Sequence, residues 1–225
     1  VLKKLDEWKN KDPKAVVEAC WVTHYHDDHV DALQCLVDAK CPIMTDASMA
    51  EILEHPKRFY LPCIAPTAAP VARATSDGES WSWHEFTLTA YHFPGQTLYH
   101  GGLLVEGKGR KVLFVGDSFA PTGADDYCAG NRVFLGKGQG CRRCFEIIRN
   151  TKPDYILNQH QEKAFSFTSE QLDYMDKLLG ERKALIEQMI PWNDANFAVD
   201  EHWVRVYPYE QQAAAGSRFE LDVQF

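Results

Sequence analysis

Residues 23 to 32 read THYHDDHVDA and place His24, His26, Asp28 and His29 within six positions. In an extended segment side chains alternate between faces, so His24 and His26 point to one side and can share a cation. Asp28 and His29 follow where strand turns into helix and point elsewhere, toward the place where a second ion would take them. A single histidine is usually packed or solvated. Four imidazole and carboxylate groups at this spacing, with no thiolate among them, form a donor set suited to Zn, and also to Fe, Mn or Co.

The flanking segments alternate strand-like and helix-like runs. AVVEACWVTHY (15–25) is an apolar, β-branched stretch ending in polar residues. DHVDALQCLVDA (28–39) then has Val30, Leu33, Leu36 and Val37 at helical spacing, so a strand feeds a helix. CPIMTD (41–46) followed by ASMAEILEH (47–55) repeats the pattern, and ESWSWHEFTLTAYHF (79–93) predicts a pair of half-buried strands. KVLFVGD (111–117) is a short buried strand stopped by Gly116, and PDYILNQH (153–160) is another. From Thr168 a capping box with Gln171 opens a helix carrying Leu172, Met175, Leu179, Ile186 and Met189. Such an order predicts an α/β protein with sheets covered by helices. The polar clusters fall just past strand carboxyl ends, where open α/β sheets place their sites.

The spacing of His24, His26, Asp28 and His29 resembles the HxHxDH signature of the metallo-β-lactamase superfamily. The order of the later segments carries the resemblance over residues 14 to 190: a PGxT corner at Pro94 to Thr97, then Asp117 in LFVGDSF, then His160 in YILNQH. It implies an αββα sandwich with a one- or two-metal site at one edge. Asp117 would be the carboxylate bridging two ions and His160 the final histidine ligand. Asp28 and Asp117 would be the catalytic carboxylates, Asp28 orienting the nucleophile as well as binding. Thr23 and His92 are candidates for fixing imidazole tautomers, although His92 reads equally well as a packed strand histidine.

Two departures from the family stand out. Its corner normally reads PGHT, whereas this chain has Gln96, whose amide oxygen would face the ion held by His24 and His26 as a poorer donor than imidazole. His100 is the rival; on a regular strand it would lie about 13 Å further along, which makes it a supporting or pocket-lining group. The family also has strands and a hairpin before HxHxDH, while here the motif begins at residue 24 after the helix-like LKKLDEWKN and one strand. The expected fold is therefore a sandwich lacking its first strands, over residues 1–195. Either a further N-terminal segment or self-association would cover the exposed sheet face. Residues 196–225 read as a C-terminal extension that begins another β domain, ending in FELDVQF without a closing partner.

The activity implied is hydrolysis by metal-bound hydroxide, with two zinc ions expected and iron or manganese possible, on a small-molecule ester, lactone, thioester, phosphoester or β-lactam. The alternatives are a single-iron oxygenase or redox member of the superfamily and a non-catalytic metal-binding module. The loop from Ala120 to Gly140 is long enough to wall a pocket, and its Tyr127 and Arg132 are candidates for meeting a carbonyl or an anion.

Composition narrows the partners. The 225 residues, 45% hydrophobic, are enough for one large core or a core with an appendage. Lys and Arg number 24 against 32 Asp and Glu, a net charge of −8 with no basic stripe, which argues against nucleic acid. The sequence has no run of 18 apolar residues of the kind that spans a membrane; the compartment is left open, with the cytoplasm favoured over others. Seven cysteines exclude a complete disulfide framework by parity, and the lone CxxC at Cys141 and Cys144 is a weak zinc signal that reads first as packing or a surface turn.

Overall fold

The computed structural model describes residues 2–59, 61–124, 135–189, 205–207, 212–218 and 220–224. Tyr127 and Arg132 lie outside the described residues. The chain opens with α1 (Leu2–Lys11) and β1 (Cys20–Val22), then α2 (Asp27–Val30), α3 (Leu33–Asp38), β2 (Ile43–Asp46), α4 (Ala50–Glu54) and β3 (Arg73–Thr75). The second half runs β4 (Ser80–Trp83), β5 (Phe86–His92), β6 (Gly101–Gly107), β7 (Arg110–Phe114), α5 (Gly140–Thr151), β8 (Tyr155–Leu157) and α6 (Ser169–Met189). A short pair, β9 (Arg205–Tyr207) and β10 (Asp222–Gln224), follows.

Two sheets make the centre. The first is three-stranded and parallel, in the order β1-β2-β3. The second is five-stranded, β4-β5-β6-β7-β8, antiparallel except where β8 joins β7 in parallel. They meet where β2 lies against β5 and β6. Val22 and Ile43 of the first sheet bury against Leu33 and Leu36 of α3 and Ile52 and Leu53 of α4. Leu104, Leu113 and Ile156 of the second bury against Phe145 and Ile148 of α5 and Leu172 and Leu179 of α6. The layers are helix, sheet, sheet, helix, because each sheet must cover one apolar face with helices and the other with its partner. Three strands do not cover five: Phe114 and Tyr155, on the side of the second sheet away from α5 and α6, are 38% and 43% exposed.

Several segments differ from the sequence expectation. DHVDALQCLVDA is two short helices, not one, with a break at Asp31 and Ala32. That break lets His29 leave the first turn in one direction while Leu33 and Leu36 bury in another. FELDVQF does have a partner, since Asp222–Gln224 pairs antiparallel with Arg205–Tyr207. Cys141 and Cys144 are buried in the core beneath the second sheet, as packing residues would be. No helix among the described residues is long and apolar enough to cross a membrane.

The capping box is present in both directions: Thr168 N donates to Gln171 Oε1 at 2.9 Å, and Gln171 N donates to Thr168 Oγ1 at 3.2 Å. Thr168→Ala removes the side-chain acceptor and is expected to lower unfolding free energy by about 1 kcal/mol. Urea denaturation checks this, and an unchanged midpoint would show that the cap contributes nothing.

Candidate metal centre

The centre forms where the chain leaves both sheets. Beyond β1 the backbone crosses to the second sheet, His24 bridging antiparallel to His100, with Gly101 N donating to Thr23 O at 2.7 Å. His26 is extended and caps α2, its carbonyl accepting from His29 N and Val30 N. Asp117 follows β7 through Gly116, which has φ +54. His160 follows β8 in a turn closed by its own N–H donating to Asn158 Oδ1 at 2.7 Å.

These segments converge on one atom. Asp117 Oδ2 lies 3.1 Å from His29 Nε2, 3.2 Å from His160 Nε2 and 3.6 Å from His24 Nε2. Gln96 Nε2 donates to the same oxygen at 3.3 Å. Asp28 Oδ2 lies 3.1 Å from His160 Nε2 and 3.4 Å from His29 Nε2. Two groups result that share Asp117: Asp28, His29, Asp117 and His160, and His24, His26 and Asp117, with donor atoms within 4.8 Å of one another in each.

The donor set fits divalent cations. His29 Nε2 and His160 Nε2 approach to 3.3 Å, a distance at which two lone pairs need a proton or a cation between them. His24 Nε2 and Gln96 Oε1 are buried and have no hydrogen-bond partner among the described residues. Buried polar atoms of this kind are normally satisfied, and two together within an imidazole cluster fit a place where an ion would bind. The ligands are nitrogen and oxygen, as zinc, iron or manganese accept.

Protonation follows from the surroundings. Burial, and then the neighbouring imidazoles led by His100, hold the His24 ring well below its ordinary range, so it is neutral. Burial alone would depress His29, but the hydrogen bond and charge of Asp117 outweigh it and raise the ring. Burial likewise pushes the Asp117 carboxyl up, and His29 more than reverses this.

Corner residues 94–97 come close to Asp117 because of Gly95. A Cβ there would overlap the Ser118 side chain. Gln96 is 7% exposed. The sequence expectation gave its oxygen to the ion; here the amide nitrogen faces Asp117 and the oxygen is the unpartnered end.

His92 takes its packed reading, and His100 supports a ligand but lies closer to it than a regular strand would put it. His92 reaches no ligand imidazole: its Nδ1 lies 3.2 Å from Asp46 Oδ1, joining the sheets beside Ser48. It stands at the end of β5, on the face that meets β2. His100 is not carried along a regular strand, because residues 96–99 do not continue it. Fully buried, it stacks on His24 with ring centroids 4.7 Å apart and planes at 7°. Its Nε2 donates to Val115 O at 3.0 Å, directing it away from the clusters. Thr23 does touch an imidazole, with Oγ1 3.1 Å from His24 Nδ1. Sequence reasoning missed Gln159, whose Oε1 accepts from Thr23 Oγ1 at 3.3 Å; the polar NQH at the end of β8 was the signal, read only for its histidine.

A helix-flanked double sheet with a histidine and aspartate cluster at the strand ends defines the class. The sequence profile described as the metallo-β-lactamase superfamily matches residues 2–160, and the chain belongs to that superfamily. Among curated relatives, hydroxyacylglutathione hydrolase of Aeromonas hydrophila is 30% identical over 107 residues, which is 48% of this chain and 35% of the relative. That of Aeromonas salmonicida is 29% identical over 130 residues, 58% of this chain and 37% of the relative. The chain thus spans little more than a third of the length of these relatives. Among solved structures, a motif mutant of a metallo-β-lactamase from Cronobacter sakazakii aligns with TM-score 0.53 at 18% identity, over 87% of this chain and 73% of its own. A metallo-β-lactamase from Pontibacter korlensis gives 0.50 at 16%, over 79% and 76%. At these identities the likeness is one of fold.

Burial holds His100 neutral to about 3, while an unfolded histidine takes up its proton near pH 6.5. The unfolded chain therefore binds more protons below that pH. The contribution of His100 is fully present above about 6.5 and falls by about 1.4 kcal/mol per pH unit on acidification toward its folded value. Urea midpoints of the metal-free protein at pH 7 and 5 are expected to differ accordingly, and His100→Asn should shrink that difference. An equal drop in the variant would show that His100 is not the titrating group.

Proposed function

We propose that the chain is a metal-dependent hydrolase that uses two divalent cations, most simply zinc. His24, His26 and Gln96 would hold one and Asp28, His29 and His160 the other, with Asp117 common to the two donor groups. The observation that carries the reading is the meeting of the two donor groups at Asp117. Cations in these positions supply a lowered pKa for water and Lewis acidity toward a carbonyl or phosphoryl oxygen.

The chain's own residues divide the remaining work. His24 and His26, buried at 0% and 5% exposure, form the closed side. Asp28 and His160, with side chains 50% and 57% exposed, form the open side, so water and substrate arrive there. Asp28 has one carboxylate oxygen beside His160 and His29, and its exposed edge can accept a hydrogen bond from the attacking water and orient it. Before a cation binds, His29, raised by Asp117, holds Asp117 in place by the hydrogen bond from its Nε2; with a cation bound, that nitrogen would lose its proton and coordinate instead.

Both curated relatives are named hydroxyacylglutathione hydrolases, and a thioester of that kind is the first substrate class to assay. Esters, lactones, phosphoesters and β-lactams follow, because fold does not choose among them.

Elemental analysis of protein purified without added metal is expected to find two zinc ions per chain. Asp117→Ala should lower that number and reduce hydrolysis by at least about a thousandfold, the scale on which catalytic groups are lost. Full two-metal occupancy in Asp117→Ala would overturn the bridging role, and a single iron in the wild type would favour the redox alternative.

The corner has its own test. Imidazole is the better donor, so Gln96→His is expected to tighten binding of the ion at His24 and His26, read by competition with a chelator. If Gln96→Ala and Gln96→His both bind as the wild type does, the corner contributes no ligand.

A further inference from the structure

The two nitrogens of His24 face different groups. Nε2 points toward Asp117 and has no hydrogen-bond partner, the carboxylate oxygen lying at 3.6 Å, beyond hydrogen-bond reach. Nδ1 lies 3.1 Å from Thr23 Oγ1. A neutral imidazole carries one proton, and whichever nitrogen lacks it is the one that can coordinate. A threonine hydroxyl does not decide this by itself, since it can either donate or accept.

Its second partner decides. Thr23 Oγ1 also lies 3.3 Å from Gln159 Oε1, and an amide oxygen only accepts. The single Thr23 proton then goes to Gln159, Oγ1 offers its lone pairs to His24, and Nδ1 must carry the ring proton. Nε2 is left as a bare donor. Gln159 is on the exposed side of the chain, so its amide NH2 is left to water while the oxygen turns inward. The backbone keeps it there, with Gln159 N donating to Gly116 O at 3.2 Å.

We propose that Gln159 is a positioning residue that acts through Thr23 to hold His24 as the Nδ1–H tautomer and so leaves Nε2 free for a cation. Its neighbour His160 belongs to the second donor group, so the same turn orients one ligand of each group. The assignment rests on the metal reading above, but its first consequence exists in metal-free protein.

That consequence is read by long-range nitrogen–proton NMR of the metal-free chain. Wild type and Thr23→Ser are expected to show His24 protonated at Nδ1, whereas Thr23→Val and Gln159→Ala shift it toward Nε2. Gln159→Glu, which can only accept, should keep the wild-type tautomer. Affinity for the first zinc ion should fall about tenfold in Gln159→Ala, the lower end of what supporting residues contribute. A carboxylate also attracts cations through space, so Gln159→Glu is measured with and without Thr23→Val: any effect passing through the hydroxyl disappears in the double variant, and a purely electrostatic one persists. A wild-type His24 protonated at Nε2, or a tautomer unchanged in Gln159→Ala, overturns the proposal. Wild-type protein with the expected tautomer but no affinity for zinc would instead overturn the metal reading and leave the relay standing.

Discussion

One carboxylate oxygen, Asp117 Oδ2, gathers three imidazole nitrogens between 3.1 and 3.6 Å and an amide at 3.3 Å. A carboxylate 10% exposed is costly unless its charge is matched. In the metal-free chain the hydrogen bond with His29 works against that cost, raising the imidazole and lowering the carboxyl. The groups that answer this charge come from the ends of strands in both sheets, so the same interaction that makes a cation site also fastens the two halves of the sandwich.

Backbone geometry permits that convergence. Gly116 has φ +54, and a side chain there would meet His100 Nε2 at 2.5 Å and Thr23 Oγ1 at 2.9 Å. Left-handed backbone alone costs other residues about 1–2 kcal/mol. With no Cβ at 116 the turn closes over the stacked pair His24 and His100 and brings Asp117 to its partners. Gly95 does the same at the corner, approaching Ser118 directly and carrying Gln96 to the carboxylate from the other side.

What was legible in the sequence was whatever local chemistry dictates. Alternation put His24 and His26 on one side, and the strand stops put Asp117 and His160 at strand ends, where the structure brings them together. The capping box at Thr168 was readable because both partners lie within four residues. What could not be read depends on contacts distant in sequence. His92 turns to Asp46 because β5 packs on β2, which no local pattern states. His100 stacks on His24 because the chain bends after Gln96, and a regular-strand extrapolation misses the bend. Gln159 is 136 positions from Thr23, and only the folded chain joins them. The break at Asp31 was hidden for the opposite reason: apolar spacing continues across it even though the helix does not.

Charge carries the argument to the substrate. The proposed ligands include two carboxylates, Asp28 and Asp117; the others are neutral imidazoles and one neutral amide. Two carboxylates balance at most half of the charge of two divalent cations, and replacing a histidine by Gln96 leaves that balance unchanged because both are neutral. As a ligand in the proposed site, Gln96 would make a weaker bond without altering the field. With both cations bound as proposed, an excess of positive charge would remain, open on the side of Asp28 and His160, and would attract an anion or the oxygen of a polarised acyl or phosphoryl group. Burial would set its direction: His24 stacks against His100 and His26 is buried beside it in the first donor group, whereas Asp28 and His160 have side chains 50% and 57% exposed, so in the proposed reaction Asp28 is the carboxylate that would meet an incoming water.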